Sequence, residues 1–428
     1  MTLQACLDYA LQHHPSMKEA QLDVQSAEAV VGEVRAIGLP QVNGKLQLLD
    51  NYKIQTQFLP AVFFAEDPIN NPPPPDAAPI PVQFGTQFMG DAGISISQLV
   101  FDGTYFLGLK AADTYTELAR EAVALKEADV LANVSKAYYS LLVVRERLEV
   151  LRKTHARLAD LLRETKAMNE NGFVEELDVD RLQVSYNNMA NDIARLEKME
   201  ASSLALLKFN MGMSVSEPLE VEGDLETLQV QPLEQASFQA SDRPEYGVME
   251  VQRKLDLMNI RRYQLGYYPS VVAFFNAGFN SGSNTFEQYK LNGDTWFRYG
   301  TLGVQVNIPI FDGLQKKYQI KQAKIDLERT ELTMRTLENA FRLEQETSYQ
   351  SLSANMGTLD AQSANLALAN KVVEKTRVKY QAGVGSSLEV IAAETDLAMA
   401  LGSYYSALYE ALMAKVEYDK SLGKLAAQ

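Results

Sequence analysis

The stretch ISISQLVFDGTYFLGLKAA, Ile94 to Ala112, decides the fold, because the chain makes the same transition again in VQVNIPIFDGLQKKYQIKQA, Val304 to Ala323. Each stretch is an alternating apolar run, then Phe-Asp-Gly, then the start of a long helical pattern. Phe101 and Phe311 stand 210 positions apart. Further pairs keep nearly the same offset: Gly172 with Gly383, and Gly212 with Gly423, each 211 apart. Upstream, HHPSMKEAQLDVQSAE resembles SDRPEYGVMEVQRKLD, and Pro15 and Pro40 find Pro244 and Pro269 at 229. The change of offset falls between Pro40 and Phe101, where the first half carries about 19 extra residues around AEDPINNPPPPDAAPIP. Internal repeats of this kind fix the architecture before anything else. The chain reads as a tandem duplication: a first repeat over 1–212, a linker over 213–241 and a second repeat over 242–428.

Each half reads as helix, strand, long loop, strand, very long helix, tight turn, helix. The first helix is expected over Thr2 to Ile37, bent at His14-Pro15. Gln41 to Leu49 alternates, with Val42, Leu46 and Leu48 opposite Asn43, Lys45 and Gln47. Ala92, Ile94 and Ile96 oppose Gly93, Ser95 and Ser97. In the second half Val271, Ala273, Phe275, Ala277 and Phe279 share one face. Leu302, Val304, Val306 and Ile308 oppose Thr301, Gly303, Gln305 and Asn307. Period-two alternation over eight to ten residues is the signature of a strand, and it is also the length of a tilted membrane strand. The loops over Tyr52–Gly90 and Gly282–Arg298 would lie on one side, the first proline-rich, extended and exposed.

The helical segments are long. Thr104 to Asn169 has no proline, and its single glycine, Gly108, is near the start. At 1.5 Å per residue it spans about 100 Å. Gly313 to Gln381 is similar. Leu141, Val144, Leu148, Leu151, His155, Leu158 and Leu162 recur at spacings of three and four, a coiled-coil seam. Second helices follow over Glu176 to Asn210 and Ser386 to Leu422, so each half holds an antiparallel helical hairpin with its turn at Gly172 or at Gly383 and Gly385. At the strand-helix junctions, Asp102 and Asp312 are the expected N-caps. Gly103 and Gly313 free the backbone to change direction, and Phe101 and Phe311 end an apolar band.

Composition narrows the function. A net charge of −15 in 428 residues argues against nucleic acid. Mean hydropathy is −0.18, and no apolar run reaches the length of a membrane helix, which leaves a membrane β-barrel open. No signal peptide is visible: MTLQACLDYAL is amphipathic without a basic n-region, so export implies a leader already removed. The lone Cys6 reads as a small core residue rather than a lipid anchor. His13, His14 and His155 are too few and too scattered for a metal centre. No nucleophile motif or phosphate loop is present, so neither catalysis nor a cofactor is expected. Four strands cannot close a barrel alone, and an open sheet with an apolar face and bare edges is not viable in lipid. Several copies sharing one barrel would resolve this. A soluble coiled-coil scaffold with small β elements remains the alternative. It accounts for the helices but not for strands with one apolar and one polar face.

In order and in duplicate, TLQACLDYALQHHP, QLVFDG and IPIFDG, ENGFVEELDVDRLQ and QAGVGSSLEVIAAET, LLKFNMG and KSLGK resemble the TolC-type outer-membrane efflux proteins over essentially the whole chain. The resemblance implies a homotrimer with a twelve-stranded barrel in outer-membrane lipid, continuing into a periplasmic α-helical barrel. The linker over 213–241 would be equatorial, and most of the chain would be in the periplasm of a Gram-negative bacterium. It implies an exit duct for tripartite efflux or type I secretion, docking a periplasmic adaptor and an inner-membrane transporter. It also implies an acidic constriction at the helical tips. The matching residues are Asp178 and Glu389, with Glu175, Glu176 and Asp180 nearby. Glu389 takes the place of the first of two gate aspartates, and Ala392 replaces the second.

Overall fold

The computed structural model describes residues 1–223, 239–286 and 295–426. These form two compact units, each drawing segments from both halves of the sequence. The middle of the expected linker (224–238) and of the second loop (287–294) lie outside the described residues. No helix among the described residues is long and apolar enough to cross a membrane.

The first unit, Met1–Ala27, Thr114–Asp256 and Ile325–Gln428, is helical. Helix α1 (Leu3–His13) starts at Thr2, whose hydroxyl accepts from the Ala5 amide at 3.4 Å. It stops where His14 turns extended, with φ −62° and ψ 130°. The expected bend is thus a break, because the residue before a proline is driven out of the helical region. Pro15 then opens α2 (Pro15–Ile37) as its first residue, where its missing N–H costs nothing. The long helices are α3 (Gly103–Glu170), α4 (Glu176–Asn210), α6 (Gln315–Gln381) and α7 (Ser387–Ser421), with the shorter α5 (Pro244–Leu265) before α6. The α3 seam is buried at Leu141, Val144, Leu148, Leu151, Leu158 and Leu162. From Leu148 to Leu162 it packs against Leu182, Met189 and Leu196 of α4 and Val390 of α7. Each buried leucine contributes about 1.5–3 kcal/mol. His155 is half-buried and stacks on Tyr186 at 4.2 Å between ring centroids.

Two glycines end α4 and α7 in the same way. Gly212, at φ +72°, ends α4 so close to the α1/α2 break that a Cβ there would come 2.6 Å from His14 Cα. Gly423, also at φ +72°, ends α7 hard against the Asp242 carbonyl, just ahead of Pro244. Only glycine fits both the left-handed conformation and the approach of a second backbone. In the second copy the position of His14 is taken by Arg243. This buried guanidinium donates to Glu245 at 2.8 Å and to the Ser421 carbonyl at 3.1 Å, pairs with Glu344 at 3.2 Å and lies 4.4 Å over the Phe341 ring.

The second unit, Glu28–Asp113 and Leu257–Lys324, is built on a four-stranded antiparallel sheet in the order β1-β4-β5-β6. The strands are β1 (Gln41–Asp50), β4 (Phe88–Phe101), β5 (Ser270–Ser283) and β6 (Trp296–Asn307). The proline-rich loop is not wholly extended. It holds a small hairpin of β2 (Thr56–Leu59) and β3 (Ile80–Gln83) and a 3-10 turn at Ala61–Phe64. Strand β4 also begins earlier than its alternation predicts, because β5 is long enough to pair with it out to Phe88↔Ser283. The two Phe-Asp-Gly junctions differ. At the first, β4 ends on Phe101, with a register shift after Leu99, and α3 begins at Gly103. At the second, β6 ends at Asn307 and α6 begins only at Gln315. Pro309 lacks the donor a strand needs, and Gly313 and Leu314 both take positive φ.

Candidate functional site

The sheet has two chemically distinct faces. Directly paired residues share a face. One row runs Val42–Ile96–Phe275–Leu302 and another Leu46–Ala92–Phe279–Arg298, with the Arg298 guanidinium 5.8 Å from the Phe279 ring. The opposite face carries Asn43–Ser95–Asn276–Thr301 and Gln47–Asp91–Asn280. The apolar face is not covered within the chain: Leu46 is 72% exposed and Leu302 81%. An apolar face left open in this way marks a surface that meets a membrane or another protein. The polar face is cupped, with a cleft of about 440 Å³ lined by Lys45, Gln47, Asp91, Asn280 and Phe297. Among the described residues β1 and β6 have a strand neighbour on one side only, which leaves two edges of unpaired backbone.

The Phe-Asp-Gly residues flank this sheet. Asp102 Oδ1 accepts from the Thr104 amide at 2.7 Å and the Tyr105 amide at 3.1 Å, which caps α3. Asp312 accepts at Oδ2 from the Lys316 amide and from Lys316 Nζ, both at 3.1 Å. It therefore serves α6 from three residues ahead of its start rather than as the N-cap. Although burial opposes ionisation, these Lys316 contacts hold its carboxyl below the usual range. Phe101 is moderately exposed and Phe311 almost fully so.

The helical tips lie in the first unit. Gly172 (φ +78°) and Gly383 (φ +74°) close α3 and α6 in the same way. Their amides donate to Asn169 and Tyr380 carbonyls, and the next amides reach back to Met168 and Lys379. This is the Schellman pattern, which needs left-handed backbone at the glycine. A Cβ at Gly385 would come 3.0 Å from the Tyr380 amide, so this glycine lets the turn fold under the helix end. Glu175 has extended backbone at the start of α4, but its side chain does not cap. Glu176 and Asp180 are exposed.

Asp178 and Glu389 both sit in a first helical turn, where the dipole favours them. Each faces a cation of its own chain: Asp178 lies 3.8 Å from Arg181, and Glu389 3.3 Å from Lys379. Ser386 caps α7 by accepting from the Glu389 amide at 3.2 Å. The signal for that cap is Ser-x-x-Glu before an apolar run.

Two buried polar groups above the tips escaped sequence reasoning. Thr165 of α3, fully buried, lies with its hydroxyl 3.1 Å from the hydroxyl of buried Tyr380 on α6. Glu394 of α7 occupies a seam position between Val390 and Leu397 and is 4% exposed. Its Oε2 makes no hydrogen bond and meets Arg157 only at 4.0 Å. Burial pushes the Glu394 pKa up, against the pull of Arg157 and Arg377. A carboxylate inside a leucine seam was the readable sign.

Residues 6–212 and 241–424 match the model of a family described as outer membrane efflux protein. The chain belongs to the outer membrane efflux protein family. It is 21% identical over 343 residues to the outer membrane protein TolC of Vibrio cholerae, covering 79% of this chain and 77% of that one. It is 22% identical to the probable efflux pump outer membrane protein TtgC of Pseudomonas putida, over 79% of this chain and 69% of that one. The fold is that of the outer membrane protein VceC of Vibrio cholerae, with a TM-score of 0.70 at 14% identity over 98% and 96% of the two chains. The protein is an outer-membrane efflux duct. It stands in the outer membrane, with a large periplasmic portion.

Proposed function

We propose that three copies of this chain close one duct, each contributing four strands to a twelve-stranded barrel, and that the duct is opened at its helical tips by partner proteins. The observation that carries this reading is the four-stranded sheet with one exposed apolar face and two bare edges. Its strands alternate in direction, so β6 of one copy can accept β1 of the next antiparallel, and the edges vanish on closure. Two copies would make eight strands, a size that side chains fill. Three leave a water-filled lumen lined by the Asn43, Ser95, Asn276 and Thr301 face. Each half, 1–212 and 242–428, would be one copy of the repeat, so the trimer would present six hairpins.

The tips support a docking role. Phe173 and Val384, directly after the two turn glycines, are 81% and 75% exposed. Apolar side chains at the end of a charged hairpin fit capture by an adaptor protein, which would join the duct to an inner-membrane transporter. The relative TtgC is named a probable efflux pump outer membrane protein. The test is mass and current together. Light scattering in detergent should report three protomers, and the same preparation should form pores in planar bilayers. A stable monomer that forms no pore would sink the shared barrel.

A further inference from the structure

The polar face of the sheet contains a row that crosses all four strands. Lys45 of β1 pairs with Gly93 of β4, Gly93 with Gly278 of β5, and Gly278 with Tyr299 of β6. The Tyr299 side chain leans back over both glycines. A Cβ at Gly93 would stand 2.9 Å from its hydroxyl, and one at Gly278 3.0 Å. The hydroxyl donates to Asp91 at 3.2 Å, and Asp91 faces Lys45 at 3.6 Å. A second seat lies on the same face. Phe274 of β5 pairs directly with Gly303 of β6. A Cβ at Gly303 would come 2.6 Å from the ring, and its three nearest atoms all belong to Phe274.

Glycine inside a strand is unfavourable unless something must approach the backbone closely. Here two aromatic rings do so, and both lie on the wet face. Twelve strands spaced about 4.8 Å apart and tilted about 40° close at a backbone radius of roughly 12 Å. A ring standing upright reaches about 5 Å, half the gap between packed sheets. Three copies of two upright rings would therefore obstruct much of that bore, whereas rings laid on glycine do not.

We propose that Gly93, Gly278 and Gly303 seat Tyr299 and Phe274 flat on the lumen wall, so that these five residues set the bore of the barrel and the size of solute it passes. This rests on the shared-barrel reading above. Gly303 is the position to test, because the three atoms nearest a Cβ there all belong to the Phe274 ring, whereas Gly93 and Gly278 also abut backbone.

The experiment compares wild type, Gly303→Val, Phe274→Ala and the double variant in planar bilayers at high salt. Polyethylene glycols of graded mass are added from the strand end, after light scattering has checked assembly. Gly303→Val should lower the largest polymer that enters from the strand end, and Phe274→Ala in the same chain should restore it. An assembled Gly303→Val with an unchanged cut-off, or a loss that Phe274→Ala does not restore, would overturn the proposal. Should Gly303→Val fail to assemble, Gly303→Ala takes its place, because its Cβ alone already reaches the Phe274 ring: a lowered cut-off supports the proposal and an unchanged one overturns it. A wild-type protein with no pore at all would instead overturn the duct itself, and the bore with it.

Discussion

Single buried charges in this chain have consequences that can be measured. Arg243 is 4% exposed and holds Glu245, Glu344 and the end of α7 at once. Removing one partner of a buried pair strands the rest, typically at about 3–5 kcal/mol. Arg243→Met should lower the stability of the helical unit by that order, read as a fall in the midpoint of denaturant unfolding followed by circular dichroism. Glu394 works with the opposite sign. Its folded pKa is raised, so the native state binds its proton more tightly than the unfolded chain does. The stabilisation from that proton is complete below the ordinary carboxyl value and is lost as pH rises through the raised one. Glu394→Gln should therefore raise the melting temperature at neutral pH and have progressively less effect on acidification. A gain that persists unchanged below the ordinary carboxyl value would mean that titration is not the cause.

At the scale of elements, the helices are held by a leucine seam and by a few polar ties. Leu148 and Leu151 are buried between α3 and its neighbours. An aspartate at either place would bury an unpaired charge, at a cost of several kcal/mol. Leu148→Asp or Leu151→Asp should remove the assembled protein from the membrane fraction. Unchanged assembly would show the seam to be misplaced. The Tyr380–Thr165 contact ties α6 to α3 just above the turns. Tyr380→Phe with Thr165→Val keeps the packing and removes the bond, worth about 1 kcal/mol when satisfied. Tips that must part to open should then part more readily, and the bilayer conductance of the pair should rise several-fold, by about the factor that 1 kcal/mol allows. Equal conductance would place the tip constraint elsewhere.

For the whole molecule, the proposed trimer would present three times whatever lines a constriction at its tips. Three copies of Glu389 and Asp178 would form carboxylate rings that favour cations, as charged rings do in other channels. The nearby Lys379 and Arg181 temper that field. Salt screens it further. The duct should conduct poorly by itself and prefer cations. Glu389→Gln with Asp178→Asn should reduce the preference, measured as a reversal potential in a salt gradient. An anion-selective wild type, or selectivity unchanged by the double substitution, would leave these residues as solvated helix ends.

The sequence alone determined the long helices and the two faces of each strand, because periodicity is a local property of the chain. Gly172 and Gly383 were legible as turns, since left-handed backbone nearly always requires glycine. Gly303 was legible only as a small residue on the polar face; its role appears once β5 lies beside β6 and Phe274 comes to rest on it. The second Phe-Asp-Gly misled because three residues can be repeated while the proline beside them alters the strand end. Glu394 and Arg157, like Thr165 and Tyr380, stand more than two hundred positions apart, and of the four only Glu394, a carboxylate inside an apolar seam, is marked by its local sequence. Tertiary structure decided those contacts, because burial and pairing depend on which helices meet, and that is set by the packing of the whole seam.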